Sequence, residues 1–158
     1  MMLAVKDVMT KNVVKVRADQ SVKDAAESMC KHRVGCLVVF VDGMVEGIIT
    51  ERDMLCRVVT ASADPERTTV KEVMTSPVFI VKPDTPLEEA VNIMFAHSIK
   101  KLPVVDPKNN RVKLAGIVTL TDIARLQPAL MQTLKKLYEV SGEDPPRNIG
   151  KVMDFYIV

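Results

Sequence analysis

The 158 residues, 47% of them apolar, are enough to bury one or two small cores. Lys and Arg number 22 against 20 acidic residues, and aromatics make up only 4%, so neither charge nor base-stacking capacity points to a nucleic-acid partner. No apolar run reaches the roughly 18 residues of a membrane span, and the opening MMLAVKDVMTK meets charged residues too early for a signal peptide, so a cytoplasmic protein without membrane attachment is expected.

Taken in order, the chain predicts a short helical turn at VKDVM and an extended run over residues 13–16. Ser21 suits an N-cap for a helix over residues 22–31, where Val22, Ala25, Ala26 and Met29 share one face. His32 closes that helix, a place where a cation complements the carbonyl end, and capping is preferred to catalysis for it. CLVVFV, the Asp42-Gly43 turn and MVEGII read as a β-hairpin. Thr50 then starts a helix over residues 51–59, followed by the polar linker ASADPERTT. Cys30, Cys36 and Cys56 lack metal-ligand spacing and fall inside apolar patterns, which predicts buried, reduced thiols.

The same order then repeats. Sliding the chain by 65 residues places VKDVMT over VKEVMT and, out to His32 over His97, gives 11 identities in 28 positions, the mark of a duplicated unit. The second copy has an extended run over residues 78–81, and Thr85-Pro86 at the start of a helix bearing Leu87, Ala90, Val91 and Met94. LPVVD, a longer loop in DPKNNRVK, and LAGIV then lead to Thr119 and a helix at Leu120–Leu126. Each copy is therefore β-α-β-β-α, an α+β unit too small to hide its apolar face alone. After Gln127-Pro128, the residues Leu130, Leu134, Leu137 and Tyr138 form one face of a further helix, and KVMDFYIV has strand character.

GIITERD ends the first copy and GIVTLTD the second, so Thr50 and Asp53 recur as Thr119 and Asp122. Thr-x-x-Asp fits the capping box, and one reading stops there: Thr satisfies orphan amides and the acid complements the helix dipole. The other reading is a site. Free N–H groups at a helix start attract phosphate, and a carboxylate can accept hydrogen bonds from two ribose hydroxyls.

The VMT openings, His-ended helices, LPVVD and GI[IV]T-x-x-D closings resemble a tandem of cystathionine-β-synthase (CBS) domains, the Bateman module, over residues 5–126. The resemblance implies repeats at 1–64 and 65–126, packed sheet to sheet about a pseudo-twofold axis, with 127–158 as an extension. It also implies two clefts between the repeats for AMP, ADP, ATP or S-adenosylmethionine, and disc-like homodimers.

Carried over by position, Asp53 and Asp122 would hold ribose hydroxyls, with Thr50 and Thr119 facing ribose or phosphate. The backbone at Val13, Val14, Val78 and Phe79 would read adenine, and Pro103 would line the base slot. Lys100 and Lys101 would reach phosphate, which ranks an anionic nucleotide above the sulfonium ligand. The first copy departs from this pattern: Gly35 and Cys36 replace the lysines and Val38 replaces the proline, so unequal clefts are expected. The resulting expectation is a regulatory module, not an enzyme, that couples adenosine-ligand occupancy to self-association or to a protein partner, with no catalytic cofactor or metal. The alternative is an interaction scaffold with vestigial clefts and a partner-binding tail.

Overall fold

Strand alternation and one Asp-Gly turn build the first sheet. In the computed structural model, β1 (Lys15–Arg17) runs parallel to β2 (Cys36–Val41), which pairs antiparallel with β3 (Met44–Thr50). The structure describes residues 2–108 and 111–126 together with positions 128, 129, 132 and 136; the expected tail helix face and KVMDFYIV lie outside the described residues. Asp42 and Gly43 adopt φ of 50° and 78°, the positive pair that a two-residue hairpin turn requires. The first extended run becomes a strand only from Lys15, with Val14 contributing a carbonyl that accepts from Val38 N–H at 3.2 Å.

One face of this sheet carries Leu37, Val39 and Ile49 into a core shared with Val22, Ala25 and Met29 of α1 (Val22–His32). Alternation turns Val38 and its cross-strand partner Ile48 to the other face. Ser21 caps α1 as expected: Asp24 N–H donates to Ser21 Oγ at 3.0 Å, and Ser21 N–H returns a bond to Asp24 Oδ2 at 3.3 Å.

After β3, α2 (Glu51–Met54) widens into a π-helical turn, Leu55–Val59, instead of continuing as the expected α-helix. Thr60 N–H donates to Leu55 O at 3.1 Å, the five-residue spacing of such a turn. Cys56 sits on it and is exposed, and so is Cys30, against the expectation of burial. The reason is local for Cys30: the buried stripe of α1 takes Val22, Ala25 and Met29, and the residue after Met29 turns outward. Cys36 is partly buried, and all three are free thiols.

The second sheet pairs β4 (Lys101–Lys108) with β5 (Arg111–Thr119), and the extended run before it is reduced to one parallel bridge, Val81 to Val104. Between α3 (Val70–Val73) and this sheet lies α4 (Leu87–Ala96), and α5 (Leu120–Leu126) follows it. Leu87, Val91, Met94, Leu102, Val104, Val118 and Ile123 form its core. Pro86 occupies the N-cap of α4 rather than its first helical residue, while the Thr85 hydroxyl accepts from Lys82 N–H at 3.0 Å. No helix among the described residues is long and apolar enough to cross a membrane.

The chain divides into two compact units that interleave along the sequence. One gathers Met1–Lys11, Ile80–Pro107 and the segment from Ala115; the other gathers Asn12–Phe79 with Lys108–Leu114. Within the former, the 3-10 turn Val5–Asp7 packs on second-copy elements: Val5 is fully buried beside Leu87 and Leu102, and its N–H donates to Thr85 O at 2.9 Å. Within the latter, α3 packs on first-copy elements, with Val70 N–H donating to Gln20 O at 2.8 Å and Val70 and Val73 in the core.

Each opening segment ends by pairing with a strand. Thr75 N–H donates to Ile48 O at 2.8 Å and Ile48 N–H to Thr75 O at 3.1 Å; Thr10 and Ile117 exchange the same two bonds at 2.9 Å each. The strand glycine makes room for this approach. A Cβ on Gly47 would lie 2.7 Å from Thr75 O and 2.9 Å from Met74 Sδ, and one on Gly116 would lie 2.7 Å from Thr10 O and 2.9 Å from Met9 Sδ. The nearest obstacle is backbone and cannot swing aside. Gly47→Ala and Gly116→Ala should each destabilise their own unit by about 1–3 kcal/mol, read as a lower urea midpoint with the slope unchanged.

Candidate ligand site

Both Thr-x-x-Asp turns form reciprocal caps. In the first, Thr50 N–H and the Thr50 hydroxyl donate to Asp53 Oδ2 at 2.9 and 3.0 Å, and Asp53 N–H donates to Thr50 Oγ1 at 3.3 Å. In the second, Thr119 N–H and hydroxyl donate to Asp122 Oδ2 at 3.3 and 2.7 Å, and Asp122 N–H donates to Thr119 Oγ1 at 3.1 Å. The capping reading is therefore realised in both copies, and it occupies only one oxygen of each carboxylate.

The second oxygens differ. Asp53 Oδ1 accepts from the Thr75 hydroxyl at 3.0 Å and faces Arg57 Nη1 at 3.5 Å. Arg57 is itself held by the carbonyls of Val73 and Met74 at 2.7 and 2.9 Å, where α3 ends. Asp53 is 8% exposed, whereas its partners Thr75 and Arg57 are exposed, so the buried acid is held by groups at the surface. Asp122 is less buried, and among the described residues its Oδ1 takes no hydrogen bond.

The flanks differ too. Lys100 O accepts Leu120 N–H at 2.8 Å, which fixes the Lys100 backbone beside the Thr119 cap. In the first copy Gly35 O accepts Glu51 N–H at 3.2 Å in the same way. There the Glu51 carboxylate lies over the glycine: a Cβ on Gly35 would be 2.9 Å from Glu51 Oε2.

The remaining candidates distribute by unit. Val13, Val14, Val38, Val78 and Phe79 belong to the unit of Thr50 and Asp53; Lys100, Lys101 and Pro103 belong to that of Thr119 and Asp122. Val38 is fully buried and joined to Val14 by its N–H, Val13 and Val78 are partly buried, and Phe79 is exposed. Pro103 is buried, its carbonyl accepting from Val81 N–H at 3.1 Å. Lys100 is exposed and Lys101 partly so. Sequence reasoning missed Thr75, Arg57 and Glu51. The recurrence of Thr10 as Thr75 was the available signal, but nothing local ties a threonine to an acid 22 positions earlier. His32 caps its own helix, with Nδ1 2.9 Å from Ser28 O. Among the described residues no group of three His, Cys, Asp or Glu side chains is placed to hold a metal ion.

Two copies of one α+β unit, each ending a strand on an acid-bearing helix tip braced by a VMT segment, define a tandem-repeat module. The CBS domain profile matches residues 5–60 and 70–129, and the chain belongs to the CBS domain family. It is 39% identical over 123 residues to a CBS domain-containing protein of Bacillus subtilis, covering 78% of this chain and 84% of that one. A crystal structure of an uncharacterized conserved protein from Pyrococcus horikoshii superposes with a TM-score of 0.72 at 31% identity, covering 80% and 93% of the two chains. A CBS domain pair solved in complex with 5′-methylthioadenosine and S-adenosyl-L-methionine gives 0.71 at 29% identity, covering 81% and 98%.

Thr119→Val, which keeps the branched shape but removes the capping oxygen, should cost about 1 kcal/mol. Thermal denaturation against the parent protein checks this.

Proposed function

We propose that this chain is a regulatory CBS pair, not an enzyme, that binds an adenosine-containing ligand through its Thr-x-x-Asp turns. Occupancy is coupled to self-association or to contacts with a protein partner. The observation that carries the reading is the Asp122 carboxylate: Oδ2 is fixed by Thr119, while Oδ1 has acceptor capacity left over among the described residues. A ribose diol supplies the two donors such an oxygen takes. The related pair holding 5′-methylthioadenosine and S-adenosyl-L-methionine supports an adenosine ligand. Lys100, fixed by its backbone next to this turn, favours AMP, ADP or ATP over the sulfonium compound.

Magnitudes require more than the acid. A hydrogen bond to a charged group contributes about 1.5–3 kcal/mol, whereas micromolar binding needs about 8. Adenine burial against apolar residues supplies the difference, with Val13, Val14, Val38, Val78 and Phe79 proposed in the unit of Asp53 and Pro103 in that of Asp122, where phosphate pairing with Lys100 and Lys101 adds to it. A ligand that binds the folded form alone also stabilises it, by about 2.7 kcal/mol at a concentration 100 times its Kd.

Isothermal calorimetry with AMP, ADP, ATP and S-adenosylmethionine tests the reading. Asp122→Ala should weaken the best ligand about 10–100-fold, the loss of one to two charge-assisted bonds. Absence of heat and of any thermal shift with all four compounds would remove the proposal.

A further inference from the structure

We infer that the two turns are unequal by construction: Thr75, Arg57 and Glu51 bar an adenine nucleotide from the first, leaving the Asp122 turn as the nucleotide-binding one. This rests on the adenosine reading above and narrows it.

Two separate observations carry the inference. The first is the latch on Asp53. Its Oδ1 accepts from the Thr75 hydroxyl at 3.0 Å, and Arg57 stands 3.5 Å away while bonded to Val73 O and Met74 O. Asp53 Oδ1 already holds one donor, so a ribose diol gains its second bond there only by displacing the Thr75 hydroxyl, one hydrogen bond exchanged for another with little net gain. Among the described residues the second copy shows no such latch on Asp122. The position matching Arg57 is Leu126, and the Thr10 hydroxyl, which matches Thr75, makes no hydrogen bond among the described residues.

The second observation is the charge beside each turn. Lys100 lies beside the Thr119 cap, its carbonyl accepting from Leu120 N–H. The matching pair in the first copy is Gly35 and Glu51, so a cation is replaced by a glycine and an apolar residue by a carboxylate. That carboxylate covers the glycine, with Oε2 2.9 Å and Oε1 3.1 Å from where a Cβ would stand. Lys100 offers a phosphate attraction at one turn; at the other, Glu51 opposes it and Arg57 is engaged by Asp53 and two backbone carbonyls. The latch opposes any diol, and the carboxylate opposes the phosphate specifically.

AMP titrated calorimetrically into the full chain should bind once per chain. Asp122→Asn should weaken that event at least about 10-fold. Glu51→Leu with Thr75→Val, which copies the second turn's apolar residue and removes the latch hydroxyl, should raise the stoichiometry to two, provided circular dichroism shows the variant folded. Two equivalent AMP sites in the parent protein, a full equivalent retained by Asp122→Asn, or one site only in the folded double variant would each overturn the inference. Silence with AMP, ADP, ATP and 5′-methylthioadenosine would instead refute the binding reading beneath it. The latch remains measurable without ligand: a double-mutant cycle of Asp53→Asn with Thr75→Val should show coupling of about fivefold in the unfolding constant. The matching cycle of Asp122→Asn with Thr10→Val should show none. Equal coupling in both cycles overturns the asymmetry.

Discussion

Two backbones meet without a side chain between them, and most of the structure follows from that contact. Thr75 O and Thr10 O approach Gly47 and Gly116 so closely that a methyl group has no place. The approach allows each VMT segment to exchange two backbone hydrogen bonds with the last strand of its unit. In one unit it delivers the Thr75 hydroxyl to Asp53, and it brings the end of α3 within reach of Arg57. A glycine thus governs the hydrogen bonding of a carboxylate six residues later.

Local features were legible from the chain. Ser21 and the two Thr-x-x-Asp caps, the Asp42-Gly43 hairpin and the helical stripe of α1 depend on residues a few positions apart, and spacing alone exposes such patterns. The duplication was legible for the same reason. Three things were not. The VMT segments are nearly the same hexapeptide, so nothing in their composition says which body each one joins. The widening of α2 into a π turn leaves no mark in the periodicity of five residues. The contact of Thr75 with Asp53 spans 22 positions and belongs to tertiary structure.

Motif identity and chemical identity part company here. GIITERD and GIVTLTD fold into the same reciprocal cap, with matching donors and acceptors. Yet Asp53 Oδ1 accepts from Thr75 and faces Arg57, while Asp122 Oδ1 takes no hydrogen bond among the described residues, and Glu51 with Gly35 stands where the second copy has Leu120 with Lys100. A cap tolerates such changes because its own hydrogen bonds are satisfied within four residues. Its surroundings are therefore free to diverge after duplication, while the turn itself stays intact.

The interleaving of the units bears on how such a chain is assembled. A single copy standing alone as its own polypeptide could reproduce this exchange only with a second molecule, whose VMT segment would fill its glycine edge. Joining both copies covalently replaces that concentration-dependent encounter with an intramolecular one, at effective concentrations on the order of millimolar for a short flexible tether. The linker ASADPERTT is in this sense more than a spacer: it makes the reciprocal exchange of VMT segments a property of one molecule.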